Sequence, residues 1–356
     1  MKNKIIIFLF ISYISFFSIA HIIINDKIIS ETERRYLSSL PNIKEITNSE
    51  YSKKLESYLL DHFPFRDYFR SIKANYNYKI LNKYDNNNIY LKENYIFKSE
   101  YPTNKKSIAN FINKTNSLKE KLSVNNNIYL MIVPDKNYYL KDEKFLHIDY
   151  KYIKKELSKL NMTTINLDNT LKLQDYYETD THWKQENLNK VVEEMSKYLN
   201  YEYQEIKYKY NIYNKFYGVY YSESAIKRKP ETLTYLTSKE INDIEVKYLE
   251  NDNLTKIYNK EKLNSFDPYE IFLDGASSFI EINNPNSNSS KELIIFRDSF
   301  ASSLTPLLVN YYKKITLIDN RYIDSLYLDK LITFDNQDVL FMYSTLLVNN
   351  SFTLKG

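Results

Sequence analysis

The longest apolar run of the chain lies near its N-terminus, from Ile5 to Ile24, and only Ser, Tyr and His21 interrupt it. Lys2 and Lys4 place positive charge before the run. A helix needs roughly 20 apolar residues to cross the hydrocarbon core of a bilayer, and this run has about that length. The pattern predicts an export segment in residues 1–25, so that the rest of the chain would lie outside the cytoplasm.

Two interpretations of this segment remain open. Ser18-Ile19-Ala20 resembles the small-x-small site at which a signal peptide is cleaved, which would give a secreted protein. Alternatively, the segment stays as a single-pass anchor of a membrane protein with an extracytoplasmic domain. The apolar run continues through residues 22–24, and this continuation favours the anchor.

The pattern that follows predicts short helices and extended segments. An amphipathic helix is predicted from Glu50 to about Leu60 and a second helix from Tyr68 to Leu81, with residues 61–67 between them. We therefore assign residues 26–90 to an N-terminal helical and extended region.

From about residue 91 onwards, apolar β-branched runs alternate with runs of helical spacing. This alternation predicts an α/β domain over residues 91–356, in which helices cover both faces of a parallel sheet. A Tyr-rich and turn-rich stretch at about 201–287 breaks the alternation, and we interpret it as a mixed or β-rich insertion. The predicted strands are 127–133, 163–167, 292–296, 315–318 and 339–343, and the predicted helices are 150–160, 184–199, 301–311 and 322–332.

Composition excludes several classes of protein. With only three glycines, the chain can build neither a G-x-G-x-x-G turn nor a P-loop for a nucleotide cofactor. It has no cysteine and only four histidines, which argues against disulfides, thiolate sites and a His-rich metal site. Its 49 basic and 45 acidic residues are interspersed, so nucleic acid is not an expected partner. We expect neither a cofactor nor a metal.

One serine and one histidine stand out as candidates for chemistry. Ser299 follows a predicted strand and precedes a predicted helix, at the carboxyl edge where parallel sheets bind ligands. A serine needs an adjacent base to become a nucleophile, and His182 can serve as that base. Asp180 lies two residues before His182 and can orient its imidazole, as the third member of a catalytic triad does.

Each of these segments also has a structural interpretation. Asp180 and Thr181 are residue types that commonly cap helix N-termini, and so are Asp298 and Ser299. The positions favour the triad when they are considered together, because both segments would lie at carboxyl ends of strands.

Seven segments spread along the chain match the motifs of a known family. They are 33–37 with Pro41, Asp61-His62-Phe63-Pro64-Phe65-Arg66-Asp67, Val133-Pro134-Asp135-Lys136, Asp180-Thr181-His182-Trp183, Phe272-Leu273-Asp274-Gly275, Arg297-Asp298-Ser299-Phe300-Ala301 and Ile318-Asp319-Asn320-Arg321-Tyr322. These segments resemble the DHHW family of exported bacterial proteins, which is related to the acyltransferase domains, similar to SGNH hydrolases, of alginate O-acetylation proteins.

The resemblance implies a flavodoxin-like parallel sheet of the SGNH-hydrolase type that is circularly permuted. The strands near 294, 316 and 341 would act as its first three strands, and those near 130 and 165 as its last two. This order explains why Asp180 and His182 precede Ser299 in the chain, whereas SGNH hydrolases begin with the serine.

The resemblance also implies O-acetyl transfer to a cell-surface or extracellular polysaccharide through an acyl-serine intermediate. A membrane-bound O-acyltransferase would supply the acyl group. A carbohydrate O-acetylesterase and a catalytically inactive glycan-binding or assembly protein remain as alternatives.

Further residues are candidates for binding substrate. Arg297 stands where SGNH enzymes have glycine, and Arg321 is predicted either to bind an acyl oxygen or to pair with Asp319. Trp183 is interpreted either as a platform for a sugar or as a residue that locks a neighbouring loop.

The oxyanion hole departs from the SGNH pattern. The Gly-x-Asn-Asp element, whose Asn is an oxyanion donor, is not recognisable after the strand that ends at Tyr343. The candidates for this role are the backbone of Phe300 and the residue Ser344.

Overall fold

The computed structural model describes residues 2–30, 32–43, 46, 50–140, 144–199 and 201–356. They form two compact units. The first comprises residues 1–87 and 221–228, and the second comprises residues 88–220 and 229–356.

The first unit is mainly helical. Its elements are α1 (Lys2–Ile23), β1 (Ile29–Ser30), β2 (Arg35–Tyr36), α2 (Tyr51–Asp61), α3 (Arg66–Asn75), which continues as a π-helical turn at Tyr76–Ile80, and β3 (Asp85–Asn86). Among the described residues, only α1 is long and apolar enough to cross a membrane, over Asn3–Ile23. The two predicted helices correspond to α2 and α3 with its π turn.

The second unit begins with a hairpin and a helix that the sequence pattern does not predict. These are β4 (Ile89–Lys92), β5 (Tyr95–Lys98) and α4 (Lys105–Lys119). The predicted alternation of strands and helices follows, with β6 (Asn127–Val133), α5 (Tyr150–Leu157), β7 (Thr163–Ile165) and α6 (Asn189–Ser196).

The insertion and the last third of the chain complete the set of elements. The insertion contains β8 (Lys209–Phe216), α7 (Val219–Ser224), β9 (Glu231–Thr237), α8 (Lys239–Asn242), β10 (Glu245–Tyr248), β11 (Asn251–Thr255) and β12 (Phe279–Asn283). After it come β13 (Glu292–Arg297), α9 (Phe300–Leu308), β14 (Lys314–Ile318), β15 (Asp338–Ser344) and α10 (Thr345–Asn349).

The main sheet has eight strands in the order β11-β10-β12-β14-β13-β15-β6-β7. The five strands from β14 to β7 are parallel to one another. If β13 is counted as the first strand, their order is 2-1-3-4-5, the flavodoxin-like order. The predicted circularly permuted α/β sheet is therefore confirmed. The insertion adds antiparallel strands at the β14 edge, as a mixed insertion would.

At the centre of the sheet both faces are buried, which explains why β13 and β15 are almost continuously apolar. In β13, Leu293 and Ile295 belong to one core, and Ile294 and Phe296 belong to the other. Every residue of β15 is buried. The polar residues that follow these strands are therefore collected at the carboxyl edge of the sheet.

Two predicted helices differ from the structure. The helix predicted at 322–332 is wrong, because the chain forms only a 3-10 segment at Ser325–Lys330. Leu328 is buried there, but Leu326 and Tyr327 are exposed, so no continuous apolar face supports an α-helix. The helix predicted from Lys184 begins only at Asn189, after a 3-10 turn at Gln185–Asn187.

Candidate active site

Ser299 lies at the carboxyl end of β13, immediately before α9. Its hydroxyl does not cap the helix. Instead, Asp298 performs that task, since its Oδ1 accepts a hydrogen bond from Phe300 N at 3.1 Å. The Ser299 hydroxyl is therefore left to face the loop that carries the candidate base.

Asp180, His182 and Ser299 form a hydrogen-bonded chain. His182 Nδ1 lies 2.6 Å from Asp180 Oδ1, and His182 Nε2 lies 2.8 Å from Ser299 Oγ. Because a carboxylate oxygen only accepts, Nδ1 carries the proton, and Nε2 is left to accept from the serine hydroxyl. These three residues were placed together from the sequence, and the structure brings them into the geometry that a nucleophile and its base require.

Asp180 is itself held by backbone donors. Its Oδ1 also accepts from His182 N at 3.0 Å, and its Oδ2 accepts from Val219 N at 2.8 Å. Asp180 is almost completely buried, at 1% exposure. The helix-cap interpretation of Asp180 and Thr181 is wrong, since α6 begins eight residues after Thr181.

Residues 177–182 form a tight loop, called here the triad loop, which a buried lysine fastens from within. Tyr177 N donates to His182 O at 3.1 Å and closes the loop. The ammonium of Lys136 donates to three carbonyl oxygens of this loop, those of Tyr177, Glu178 and Asp180, at 3.1, 3.2 and 2.7 Å. Lys136 is 2% exposed, so its ammonium is buried and makes its hydrogen bonds inside the protein.

The outer side of the triad loop is bound by the insertion. Glu231 accepts from the backbone N–H groups of Glu178 and Thr179, each at 2.8 Å, and from the Thr179 hydroxyl. Burial raises the pKa of Glu231 above its ordinary value, although these hydrogen bonds oppose the shift.

Gly218 allows the insertion to approach the loop closely. A Cβ at this position would lie 2.3 Å from Thr179 O and 2.4 Å from Asp180 Cα. Only glycine fits there without moving the backbone that carries Asp180.

Two aromatic residues hold the histidine and its loop against α9. The Tyr269 ring stacks on the His182 imidazole, with centroids 3.9 Å apart and planes 8° from parallel. The Trp183 indole N–H donates to Phe300 O at 3.1 Å and to Ser303 Oγ at 2.9 Å. Trp183 is 0% exposed, so the sugar-platform interpretation is wrong and Trp183 locks the loop.

The backbone N–H groups of the two predicted oxyanion donors, Phe300 and Ser344, already donate hydrogen bonds within the protein. Phe300 N–H donates to Asp298 Oδ1, as described above, and Ser344 N–H donates to Asp298 Oδ2 at 2.7 Å. Ser344 Oγ accepts from Leu347 N at 3.2 Å and caps α10. The expectation for these two residues is therefore corrected, because Asp298 uses their N–H groups to tie β13 to β15. Within the described residues, the N–H of Ser299 itself makes no hydrogen bond and lies at the N-terminus of α9.

The two candidate arginines have different environments. Arg297 is 1% exposed and donates from Nη1 to Ser302 Oγ at 2.6 Å, so it does not face substrate and this expectation is corrected. Burial lowers the pKa of Arg297. Arg321 forms the predicted ion pair, with its Nε 2.9 Å from Asp319 Oδ1 and its Nη2 2.6 Å from Asp319 Oδ2. About a quarter of its side chain stays exposed.

Sequence reasoning missed the supports of the triad. Glu231, Gly218 and Tyr269 all belong to the insertion, and they reach the triad loop only through the fold. Lys136 lies in a segment that carried the family resemblance, but no role was assigned to it. The scarcity of glycine could have drawn attention to Gly218. Among the described residues, no cluster of three or more His, Asp or Glu side chains is arranged to hold a metal.

No protein-family model matches the sequence, and no curated protein sequence matches it. Solved structures do match the fold. A DHHW family protein from Eubacterium siraeum superimposes with a TM-score of 0.63 and 20% identity, over 76% of this chain and 97% of that one.

A second solved structure is similar in fold. Bacillus cereus PatB1, in a structure with a sulfonyl adduct, gives a TM-score of 0.56 at 19% identity, over 75% of this chain and 97% of PatB1. The O-acetyltransferase domain of Pseudomonas putida AlgJ overlaps more loosely, with a TM-score of 0.43 and 12% identity over 73% of this chain and 92% of that domain. The resemblance read from the motifs is thus confirmed at the level of fold: the chain is built on the fold of a DHHW family protein.

Proposed function

We propose that the protein is a serine-dependent acyltransferase that moves acetyl groups onto hydroxyls of an extracytoplasmic polysaccharide. The observation that carries this proposal is the continuous chain of hydrogen bonds from Asp180 through His182 to Ser299. Its polar partners are buried and fixed before any substrate arrives, as electrostatic catalysis requires.

The reaction proceeds in two acyl transfers. Ser299 Oγ attacks the carbonyl carbon of the acyl donor while His182 Nε2 takes the hydroxyl proton. The tetrahedral intermediate then collapses, the bond to the leaving oxygen breaks, and His182 returns the proton to that oxygen. A sugar hydroxyl next gives its proton to His182 and attacks the acyl-serine, and Ser299 recovers its proton as it leaves.

Few hydrogen-bond donors are available to stabilise the negative charge on the oxygen of the tetrahedral intermediate. The Ser299 N–H at the N-terminus of α9 is one, and the macrodipole of the helix favours negative charge there. Arg321 is a second candidate. Burial lowers the pKa of Arg321, but the hydrogen bonds to Asp319 outweigh burial and raise the pKa above its ordinary value, so the side chain stays cationic. The incomplete oxyanion hole is the observation that favours the second candidate function, an inactive glycan-binding protein.

The N-terminal contacts support a retained anchor. Phe17 stacks on Phe63 with centroids 5.2 Å apart, and Phe16 stacks on Phe65 at 6.3 Å. His21 Nδ1 donates to His62 O at 3.1 Å. Cleavage after Ala20 would remove two of these three contacts. We therefore place the second unit, which carries the triad, on the outer side of the membrane. A membrane-bound acyltransferase is then the source of the acyl groups.

A sulfonyl fluoride tests the nucleophile directly, because it forms a stable adduct with an activated serine hydroxyl. Full-length protein treated with phenylmethylsulfonyl fluoride is expected to gain one adduct, mapped to Ser299 by mass spectrometry. The Ser299→Ala variant is expected to gain none, whereas Ser158→Ala, which changes an exposed serine, is expected to react like wild type.

Untreated samples of the same proteins, given an acetyl donor and a sugar acceptor, separate the candidate functions. An O-acetylated sugar product with acetyl-serine at Ser299 indicates a transferase, and acetate release without transfer indicates an esterase. No adduct and no acetyl turnover by a folded wild-type protein would contradict both, and would leave the binding-protein alternative.

A further inference from the structure

Helix α3 is amphipathic in the opposite sense to a helix of a water-soluble protein. Apolar side chains spaced by one, three or four residues lie on one side of α3 and of its two ends, and they form what is called here the aromatic face. They are Phe65, which precedes the helix, Tyr68, Phe69 and Ile72 within it, and Tyr76, which begins the π turn. These side chains are 41–66% exposed. Ile80, in the π turn, extends the same face and is also exposed. A helix normally turns such a face towards a core.

The two arginines of α3 turn inward, whereas Asp67 and Lys73 stay exposed. Arg66 pairs with Glu33, and Arg70 donates to Ser222 O at 2.9 Å. The two arginine side chains are only 25% and 23% exposed. Ala74, also on this side of the helix, is fully buried. Polar contacts therefore hold the inner side of α3 against the rest of the first unit, and the apolar side of the helix is exposed.

The aromatic face continues onto α1, the helix that is apolar enough to cross a membrane. Phe17 of α1 contacts Phe69 as well as Phe63, at centroid distances of 6.0 and 5.2 Å. Phe17 lies six residues before the end of α1 at Ile23. At 1.5 Å per residue, this contact lies about 9 Å inside the outer end of the helix. Interfacial helices insert their apolar faces about 5–10 Å into the boundary between headgroups and acyl chains.

We propose that the aromatic face of α3, together with Phe63, is seated in the outer leaflet of the phospholipid bilayer that α1 spans. The proposal rests on the retained anchor of the proposed function and does not depend on its chemistry. A cavity of about 490 Å³ lined by Asp26, Lys27, Asp61 and Arg66 lies beside Phe63 and Phe65, where lipid headgroups would meet these charges. A second cavity, of about 720 Å³, is lined by Tyr68, Ile72, Tyr76 and Ile80 and would admit an acyl chain.

Quenching of tryptophan by brominated lipid tests this placement. The full-length variants Phe65→Trp and Ile72→Trp are reconstituted in nanodiscs of phosphatidylcholine brominated on its acyl chains. Trp183, the only native tryptophan, is fully buried in the second unit and gives the background in wild type. Tyr210→Trp, at an exposed aromatic position on β8, is the matched control.

We expect the two α3 variants to lose at least twice as large a fraction of fluorescence as Tyr210→Trp. Quenching equal to the control, with the tryptophan open to aqueous acrylamide, would mean that the face meets water and would overturn the proposal. Protection from both quenchers would mean that a protein covers the face, and would overturn it as well. Acyl transfer by Ser299 is measured separately, so either proposal can fail while the other stands.

Discussion

The triad loop and helix α3 each have charged side chains that turn inward, but they differ in where they place apolar side chains. At the triad loop, Asp180 and the Lys136 side chain that fastens the loop are buried and bonded to backbone groups. The aromatic rings beside the loop, those of Trp183 and Tyr269, are packed inside. In α3 the arginines turn inward and the aromatic face turns outward.

The difference shows what each region is built for. Buried charges with complete sets of hydrogen bonds fix a geometry, and this suits a site that must hold a histidine against a serine. An outward aromatic face costs free energy in water and costs none in a lipid interface. The following predictions test the two halves of this comparison, from the largest expected effect to the smallest.

Replacement of the buried lysine breaks the interior of the triad loop. Lys136→Met leaves three buried carbonyl groups without their charged donor, so we expect the free energy of unfolding of the second unit to fall by about 3 kcal/mol or more. Urea unfolding followed by Trp183 fluorescence measures the loss. The control Lys154→Met removes a half-exposed partner of Asp168 and is expected to cost less than about 1 kcal/mol. Equal losses of unfolding free energy in the two variants would show that the buried ammonium of Lys136 stabilises the protein no more than an exposed one.

Crowding the loop from outside displaces the triad. Gly218→Ala puts a methyl group against Thr179 and Asp180, and a displacement of about 1 Å is expected to lower kcat about 10²-fold. Ester hydrolysis per folded molecule measures the effect.

The control for Gly218→Ala is Gly356→Ala. This glycine also has a crowded Cβ position, at φ +92°, but its crowding partner is Ser325. The control is expected to lose stability and to keep its kcat. A Gly218→Ala variant with unchanged kcat would contradict the assigned role of the loop.

The sequence predicted the triad and the parallel sheet, but not what supports them. Ser299 comes just after the apolar run of β13, and His182 lies in the long connection after β7, which ends at Ile165. The strand order places both segments at one edge of the sheet. Tyr269 and Glu231 lie in an irregular insertion, where neither periodicity nor spacing indicates a distant contact. The sequence predicts that Arg297 faces substrate and leaves two roles open for Trp183, because a sequence shows which residues are near a site but not which way they point. The inverted face of α3 was visible as helical spacing, yet only the structure shows that its apolar side is exposed.

Loss of the ring that stacks on His182 is expected to lower kcat less than Gly218→Ala does. Tyr269→Leu removes the ring that lies flat on the imidazole, so we expect kcat to fall about tenfold as the imidazole gains freedom. Tyr269→Phe keeps the ring and loses only the hydrogen bond to Ser303, and is expected to retain most of kcat. The kcat values of the two variants separate stacking from hydrogen bonding, and a larger loss in the Phe variant would reverse the assignment.

The smallest expected change in stability comes from a partly buried ion pair of the first unit. Arg35 pairs with Asp61 and holds the pKa of Asp61 below its ordinary value, and the hydrogen bonds from Ser38 act in the same direction. A depressed pKa stabilises the folded state above the unfolded-state pKa of about 4. This contribution is lost as pH falls from there through the folded pKa.

Asp61→Asn should reproduce the acid effect at neutral pH. We expect a loss of about 1 kcal/mol, since Arg35 is partly exposed. Faster hydrogen exchange at Ser38 in the variant measures the loss, and Asp329→Asn, at an exposed ion pair with Lys121, is expected to leave it unchanged. Unchanged exchange in Asp61→Asn would show that this ion pair does not stabilise the first unit.

The central claim, that Ser299 and His182 act as one catalytic unit, is tested most directly by a double-mutant comparison. Rates of hydrolysis of 4-nitrophenyl acetate are measured for Ser299→Ala, His182→Ala and the double variant. We expect each single change to lower kcat by a factor on the order of 10³ or more, and the double change to lower it no further. Losses that multiply in the double variant, or a Ser299→Ala protein with the wild-type rate, would contradict the account.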